Sequence, residues 1–259
     1  MEQGLAVSAA AVLAYMTLWF LAAMARKDNS LADVAWGPGF ALVASLGLFQ
    51  GRDLAARQVL VTLLVIIWGS RLAVYILRRK RGRGEDFRYA QWRRTWGRLF
   101  ALRSYFQVFM LQGALMLAIA LPVIRVNTAP QPPLGTLDMV AAAVWLAGFA
   151  VEVTADRELS VFRRNPANRG RVMTSGLRRY SRHPNYFGES VLWWGIFVFA
   201  LNSPGGWLTV VSPLLITFLL VKVSGVPLLE KKYRGRPDFE AYARRTSAFV
   251  PWFPKKSGS

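Results

Sequence analysis

The chain has 259 residues, 54% of them hydrophobic, a formal net charge of +19 and no cysteine. Length and apolar content together place it among membrane proteins rather than small soluble domains. The lack of cysteine excludes disulfides, thiolate nucleophiles, iron–sulfur clusters and cysteine zinc sites; with a single histidine as well, no metal centre is expected. Chemistry has to come from carboxylates, hydroxyls, guanidinium groups or a bound organic cofactor.

Apolar runs fall at 5–25, 31–50, 58–78, 104–124, 136–156, 187–203 and 207–226, each near the roughly 20 residues that cross a hydrocarbon core. The predicted fold is all-α: one polytopic domain over 1–259 with seven transmembrane helices and a tail at 227–259. The intervals 26–30, 78–103, 157–184 and 227–259 hold 28 of the 33 Lys and Arg residues, whereas Arg52, Arg57 and Arg125 fall on the other side. The positive-inside rule then puts the amino terminus outside and the carboxyl terminus in the cytoplasm. Basic charge so distributed is topological and grips anionic headgroups of membrane lipid; no nucleic acid and no obligate protein partner are expected. The first run lacks a basic leader and a small-residue cleavage site ahead of a soluble domain, so it reads as a retained span.

Five ionisable side chains fall inside these spans: Asp33, Arg71, Glu152, Glu189 and Lys222. Such groups are costly in a bilayer and mark pathways or sites. All five lie in the half of their span nearest the basic side. A shared polar cavity open to the cytoplasm accounts for the set, although snorkelling or a structural ion pair accounts for any single one. The outer half reads as dry.

The second span begins "NSLADVAWGPGF". Asn29 or Ser30 is suited to cap it, and Gly37, Pro38 and Gly39 are expected to interrupt it, since proline removes a backbone bond and glycine weakens a helix interior. Breaks at membrane depth line cavities or protein, which turns Asp33 toward such a cavity; a packing kink is the alternative. In the third span Trp68, Arg71 and Tyr75 are spaced three and four apart and share one face. That stripe suits a flat conjugated ligand with a carbonyl, and Tyr75 equally suits an interfacial aromatic belt.

The fifth span ends "VEVTADRELSVFRRNPANRGRV". Glu152 and Asp156 face the same way, and Arg163, Arg164, Arg169 and Arg171 follow. Clustered arginines bind phosphates bidentately, and a carboxylate among them can accept from ribose hydroxyls or an amide; a lipid-binding juxtamembrane loop is the alternative. Neither a G-x-G-x-x-G nor a G-x-x-x-x-G-K-[ST] phosphate loop occurs. Residues 176–189, "GLRRYSRHPNYFGE", form a turn feeding a helix, with Asn185 as a cap and Glu189 in the first turns. His183 there is a candidate proton donor or a packing residue of the turn.

That stretch, with "VSGVPLLEKKY" and "FEAYARRTSAFVPWFP", resembles the carboxyl-terminal half of the steroid 5-alpha-reductase family, in its bacterial branch of domains of unknown function. The amino-terminal "DVAWGPGF", "WGSRLA" and "GEDFRY" fit the same branch, so the likeness covers most of the chain. It implies a seven-helix reductase of a bacterial inner membrane that takes a hydride from NADPH at a site open to the cytoplasm. Residue by residue, it implies that Asp156 and Arg163 hold the nucleotide, that Arg171 is a second phosphate-side arginine, that Asn185 binds the carboxamide and that Glu189 is the glutamate of the motif. Arg71, Glu152, His183, Tyr186 and Lys222 are counted with the same cofactor site. The substrate-ketone positions of the animal enzymes fall on Asp33 and Trp68, and the second is a departure because tryptophan has no phenol proton; Tyr75 is the alternative donor.

The implied reaction is reduction of the carbon–carbon double bond of a hydrophobic conjugated enone such as a 3-oxo-4-ene steroid. Asp33 in an apolar cavity is expected to stay protonated and donate to the ketone oxygen. The rival resemblance is to membrane methyltransferases of the isoprenylcysteine and phospholipid type, which carry an R-H-P-x-Y-x-G turn and bind S-adenosylmethionine. The paired glutamates expected of them in the last helix are missing from "LLEKKY" and "DFEAY".

Overall fold

The computed structural model describes residues 2–51, 54–82, 84–231 and 233–255. Arg52, Arg83, Lys232 and Lys256 of the charge pattern lie outside the described residues. Among these, regular structure is helical apart from one isolated parallel bridge between Ser181 and Ser247.

Three long helices come first, α1 (Glu2–Ala25), α2 (Leu31–Gln50) and α3 (Ala56–Lys80). A composite rod follows, in which α4 (Phe87–Trp96), α5 (Phe100–Ser104) and α6 (Leu111–Ile119) are joined by a 3-10 turn and a π-helical turn at Tyr105–Met110. After the short α7 (Leu121–Thr128) comes the 29-residue α8 (Thr136–Arg164), then α9 (Pro184–Ala200). A last rod, Gly206–Lys231, contains α10 (Val211–Phe218), a π-helical turn at Leu219–Val223 and α11 (Val226–Lys231); α12 (Pro237–Arg245) lies in the tail.

Six helical segments are long and apolar enough to cross a bilayer: α1, α2, α3, Phe87–Ile119, α8 and Gly206–Lys231. The chain is therefore an all-α integral membrane protein. The sixth predicted span, 187–203, falls on α9, whose 17 residues at 1.5 Å per residue extend about 25 Å; it is not among these six. The fifth span is longer than its apolar run: α8 continues past residue 156 to Arg164. Asp156 and Arg163 therefore stand on one continuous helix.

The chain divides into two compact units, residues 1–135 with 199–212 and residues 136–198 with 213–259. In the first, the glycines of "WGPGF" do not break α2. The helix runs through Pro38, and its small residues serve close approach instead. A Cβ on Gly37 would stand 2.3 Å from the Gly69 carbonyl oxygen of α3, and one on Gly69 2.4 Å from the Gly37 carbonyl oxygen. Reciprocal glycines let two backbones touch, the small-residue packing of membrane helices. Neither Asn29 nor Ser30 caps α2 through its side chain: Asn29 Nδ2 donates to Ser104 Oγ, and Ser30 Oγ donates to Asp28 while accepting from the Asp86 backbone N–H.

The end of the first unit away from Asp33 is not dry. Buried Asn127 donates to the Ala44 carbonyl and to Thr62 Oγ1, and Gln58 Nε2 donates to the Val126 and Asn127 carbonyls. Arg57, 1% exposed, donates to Gln131 Oε1 and to the carbonyls of Pro132 and Pro133. Hydropathy missed this cluster because its members come from two stretches far apart in sequence, 57–62 and 126–133, each bordering a long apolar run.

In the second unit α8 and α9 cross on glycines. A Cβ on Gly188 would lie 2.5 Å from the Gly148 carbonyl oxygen and 2.6 Å from the Glu152 amide nitrogen, and one on Gly195 2.8 Å from the Trp145 nitrogen. The glycine of "NYFGE" is thus the contact that seats α9 on α8 beside Glu152.

Candidate functional site

In the first unit the segment "GEDFRY" folds back on the start of α2. Asp33 Oδ2 accepts from Arg88 at 2.6 Å and its Oδ1 from the Tyr89 hydroxyl at 2.7 Å. Arg88 also donates to Asp86, Arg93 grips Glu85, and Lys80 pairs with Asp28. Burial works to raise the carboxyl of Asp28, but the bonds from Lys80 and Ser30 outweigh it and hold the group below the usual carboxylate range. A carboxyl group between a guanidinium and a phenol is an acceptor from both. Asp33 is therefore an acceptor in a polar cluster and not alone in an apolar cavity, and it orients Tyr89, a residue 2% exposed that sequence reasoning did not select.

Trp68 is fully buried and packs edge-on against Phe40, ring centroids 5.5 Å apart. Arg71 lies 5.9 Å from the Tyr75 ring centroid, and Arg79 lies 5.8 Å from the same ring. The predicted stripe is real as a cation–aromatic stack, with Trp68 turned into the α2 contact.

In the second unit Glu152, Asp156 and Glu189 are all buried, at 2%, 4% and 7% exposure, whereas Arg163 and Arg171 are exposed. Lys222 sits exposed in the last π-helical turn. The "RHPNY" turn is held from below. Glu230 of α11 accepts from Arg182 through both oxygens, at 2.7 and 3.2 Å, and from His183 Nε2 at 3.1 Å. Arg182 also donates to the carbonyls of Ala243 and Thr246, and the Tyr242 hydroxyl donates to the Arg178 carbonyl. Burial pushes the Tyr242 phenol up to about 12.

Burial likewise pushes His183 below its ordinary 6.5, against the opposing pull of Glu230. The ring is neutral near pH 7, its Nε2–H donates to Glu230, and Nδ1 is left as an acceptor. Tyr186 stacks on it, 5.7 Å between centroids. Among the described residues, His183 Nδ1 and Asn185 Oδ1 are buried polar atoms with no hydrogen-bond partner. Unpaired buried acceptors are costly, and two on one turn suit a group with paired N–H donors.

A separate cavity of about 640 Å³ opens against α8 and is lined by Arg157, Glu158, Val161, Asn165 and Ser175 among others. At 100° per residue these α8 positions face away from Glu152, Asp156 and Arg163. None of the residues selected from the sequence lines it.

A family model described as a protein of unknown function, DUF1295, matches residues 19–246. The chain belongs to the DUF1295 family. A protein of Schizosaccharomyces pombe described as uncharacterized is 27% identical over 200 residues, covering 67% of this chain and 58% of that protein. The DUF1295 chain thus spans a little over half the length of this relative. No solved structure matches it. The matched span takes in both the Asp33 group and the "RHPNY" turn.

Exposed Arg163 at the end of α8 and exposed Arg171 beyond it could hold phosphates, buried Asp156 on the same helix could hold hydroxyls, and the two buried acceptors of the turn could hold N–H donors. Sequence spacing gave the residues of this set; the Glu230–Arg182–His183 link that fixes the turn was missed, its partners being 47 and 48 residues apart.

Proposed function

We propose that the protein is an NADPH-dependent reductase of the carbon–carbon double bond of a conjugated enone in a hydrophobic substrate, a 3-oxo-4-ene steroid being the best match. The observation that carries this reading is the rigid "RHPNY" turn, with Asn185 and His183 each holding a buried acceptor without a partner. Arg163 and Arg171 take the phosphates, Asp156 the ribose, and Asn185 the carboxamide, with Glu152, Tyr186 and Glu189 around the helix crossing. NADPH supplies the hydride. Negative charge then develops on the ketone oxygen, and donors aimed at that oxygen lower the barrier. The proposed setting is a bacterial inner membrane with the basic side and the cofactor in the cytoplasm.

A second reading, an S-adenosylmethionine-dependent methyltransferase, is favoured by one observation: the turn histidine meets a glutamate of the last rod, Glu230. Basic residues around the turn favour phosphates over a sulfonium. Thermal unfolding in detergent separates the two. A ligand specific to the folded state raises the transition by mass action, so NADPH is expected to stabilise and S-adenosylmethionine to leave the transition in place. The reverse pattern establishes the methyltransferase, and stabilisation by neither rejects both.

A further inference from the structure

The tail beyond α12 displays apolar side chains outward from a backbone that is firmly tied. The amide of Trp252 donates to the Tyr180 carbonyl at 2.9 Å, that of Lys255 to the Arg245 carbonyl at 2.9 Å, and that of Arg182 to the Ser247 carbonyl at 2.8 Å. Ser181 Oγ donates to the Phe249 carbonyl at 2.7 Å. Yet Val250, Trp252 and Phe253 are 54%, 71% and 77% exposed. A chain that spends this many hydrogen bonds on fixing a loop, and then faces two large aromatics away from its own core, presents a surface rather than a loose end.

The patch extends into the turn and carries its own charge. Phe253 packs edge-on to Tyr180 at 6.1 Å, and the Arg179 guanidinium lies 6.0 Å from the Tyr180 ring centroid. Arg179 and Lys255 are exposed at its rim. Tryptophan and tyrosine among basic residues are the composition of the headgroup layer, where amphipathic rings sit between water and acyl chain. Cations near an anionic leaflet strengthen such a contact.

We infer that Tyr180, Val250, Trp252 and Phe253, rimmed by Arg179 and Lys255, form a docking surface for the anionic headgroup layer of the bilayer on the basic side of the protein. Because the same backbone bonds reach residues 180–182, lipid engagement there braces the turn that carries His183 and Asn185. The inference stands whether the turn binds NADPH, S-adenosylmethionine or neither.

The chain has no cysteine, so Val250→Cys gives a single labelling site in the full-length protein. A spin label there, in vesicles of phosphatidylcholine with phosphatidylglycerol, is expected to collide with oxygen several-fold more often than with a water-soluble nickel chelate. Replacing Arg179 and Lys255 by glutamine is expected to shift that ratio toward nickel. Greater nickel than oxygen accessibility in the parent protein overturns the inference by showing an aqueous surface. Shielding from both reagents overturns it in favour of a protein partner or a second copy. A Trp252→Phe variant gives the independent check, since the emission it removes from the parent spectrum is expected to be quenched by bromolipid and not by aqueous iodide; iodide quenching alone refutes the membrane contact.

Discussion

Replacing Gly188 by alanine adds one methyl group where α9 lies on α8. Its carbon would sit 2.5 Å from the Gly148 carbonyl oxygen and 2.6 Å from the Glu152 nitrogen, both backbone atoms that cannot swing aside. Restoring ordinary contact near 3.4 Å requires the helices to part by about 0.9 Å, and gaps of this size forfeit a quarter to a half of the dispersion energy of the facing atoms. Overpacking of this kind costs about 1–3 kcal/mol. At roughly 3 °C per kcal/mol for a chain of this size, Gly188→Ala is expected to lower the thermal transition by about 6 °C. NADPH affinity is expected to fall with it, since Asn185 and Glu189 ride on the displaced helix. The control is Gly84→Ala, whose new methyl would meet nothing within 4 Å. Thermal unfolding of the two variants in the same detergent at one scan rate is the assay. A Gly188→Ala protein that unfolds with Gly84→Ala and the parent refutes the tight crossing.

Acid sensitivity follows from His183. Its folded pKa is depressed, so the unfolded chain takes the proton first and stability falls as pH drops below about 6.5, levelling off once the folded ring also protonates. Thermal transitions measured between about pH 7 and pH 5 are expected to show this slope, and His183→Gln is expected to flatten it. The Asp33–Arg88 pair is expected to show a coupling energy of about 1–3 kcal/mol in a double-mutant cycle of Asp33→Asn and Arg88→Gln, between the values for exposed and fully buried pairs. Arg163→Ala and Arg171→Ala are each expected to weaken NADPH binding about 10- to 100-fold, the worth of one charge-assisted contact, measured by titration of cofactor fluorescence.

Hydropathy made the long apolar helices legible, because a bilayer demands length and composition that few other structures share. It misplaced the end of α8, whose charged last turns continue a helix that apolarity alone would end. The glycines of "WGPGF" read locally as breakers; only the facing helix, with Gly69, turns them into a contact. Asp33 was legible as a special residue because a carboxyl in an apolar run is rare. Its partners were not, since Arg88 and Tyr89 lie 55 and 56 residues away and nothing in their own neighbourhood points back to α2. The same holds for Glu230, which looks like a surface residue of "LLEKKY" until the fold sets it beneath His183. Motif spacing carried Asn185, Gly188 and Glu189, where chemistry and packing fall within two turns of one helix.

The most direct test of the account is isotopic. Purified protein in lipid vesicles, given a 3-oxo-4-ene steroid and NADPH deuterated at the transferable position, is expected to yield a saturated ketone with one deuterium on the former β carbon, one cofactor oxidised per product. A product without deuterium, or cofactor left unoxidised while S-adenosylmethionine methylates a lipid acceptor, contradicts it.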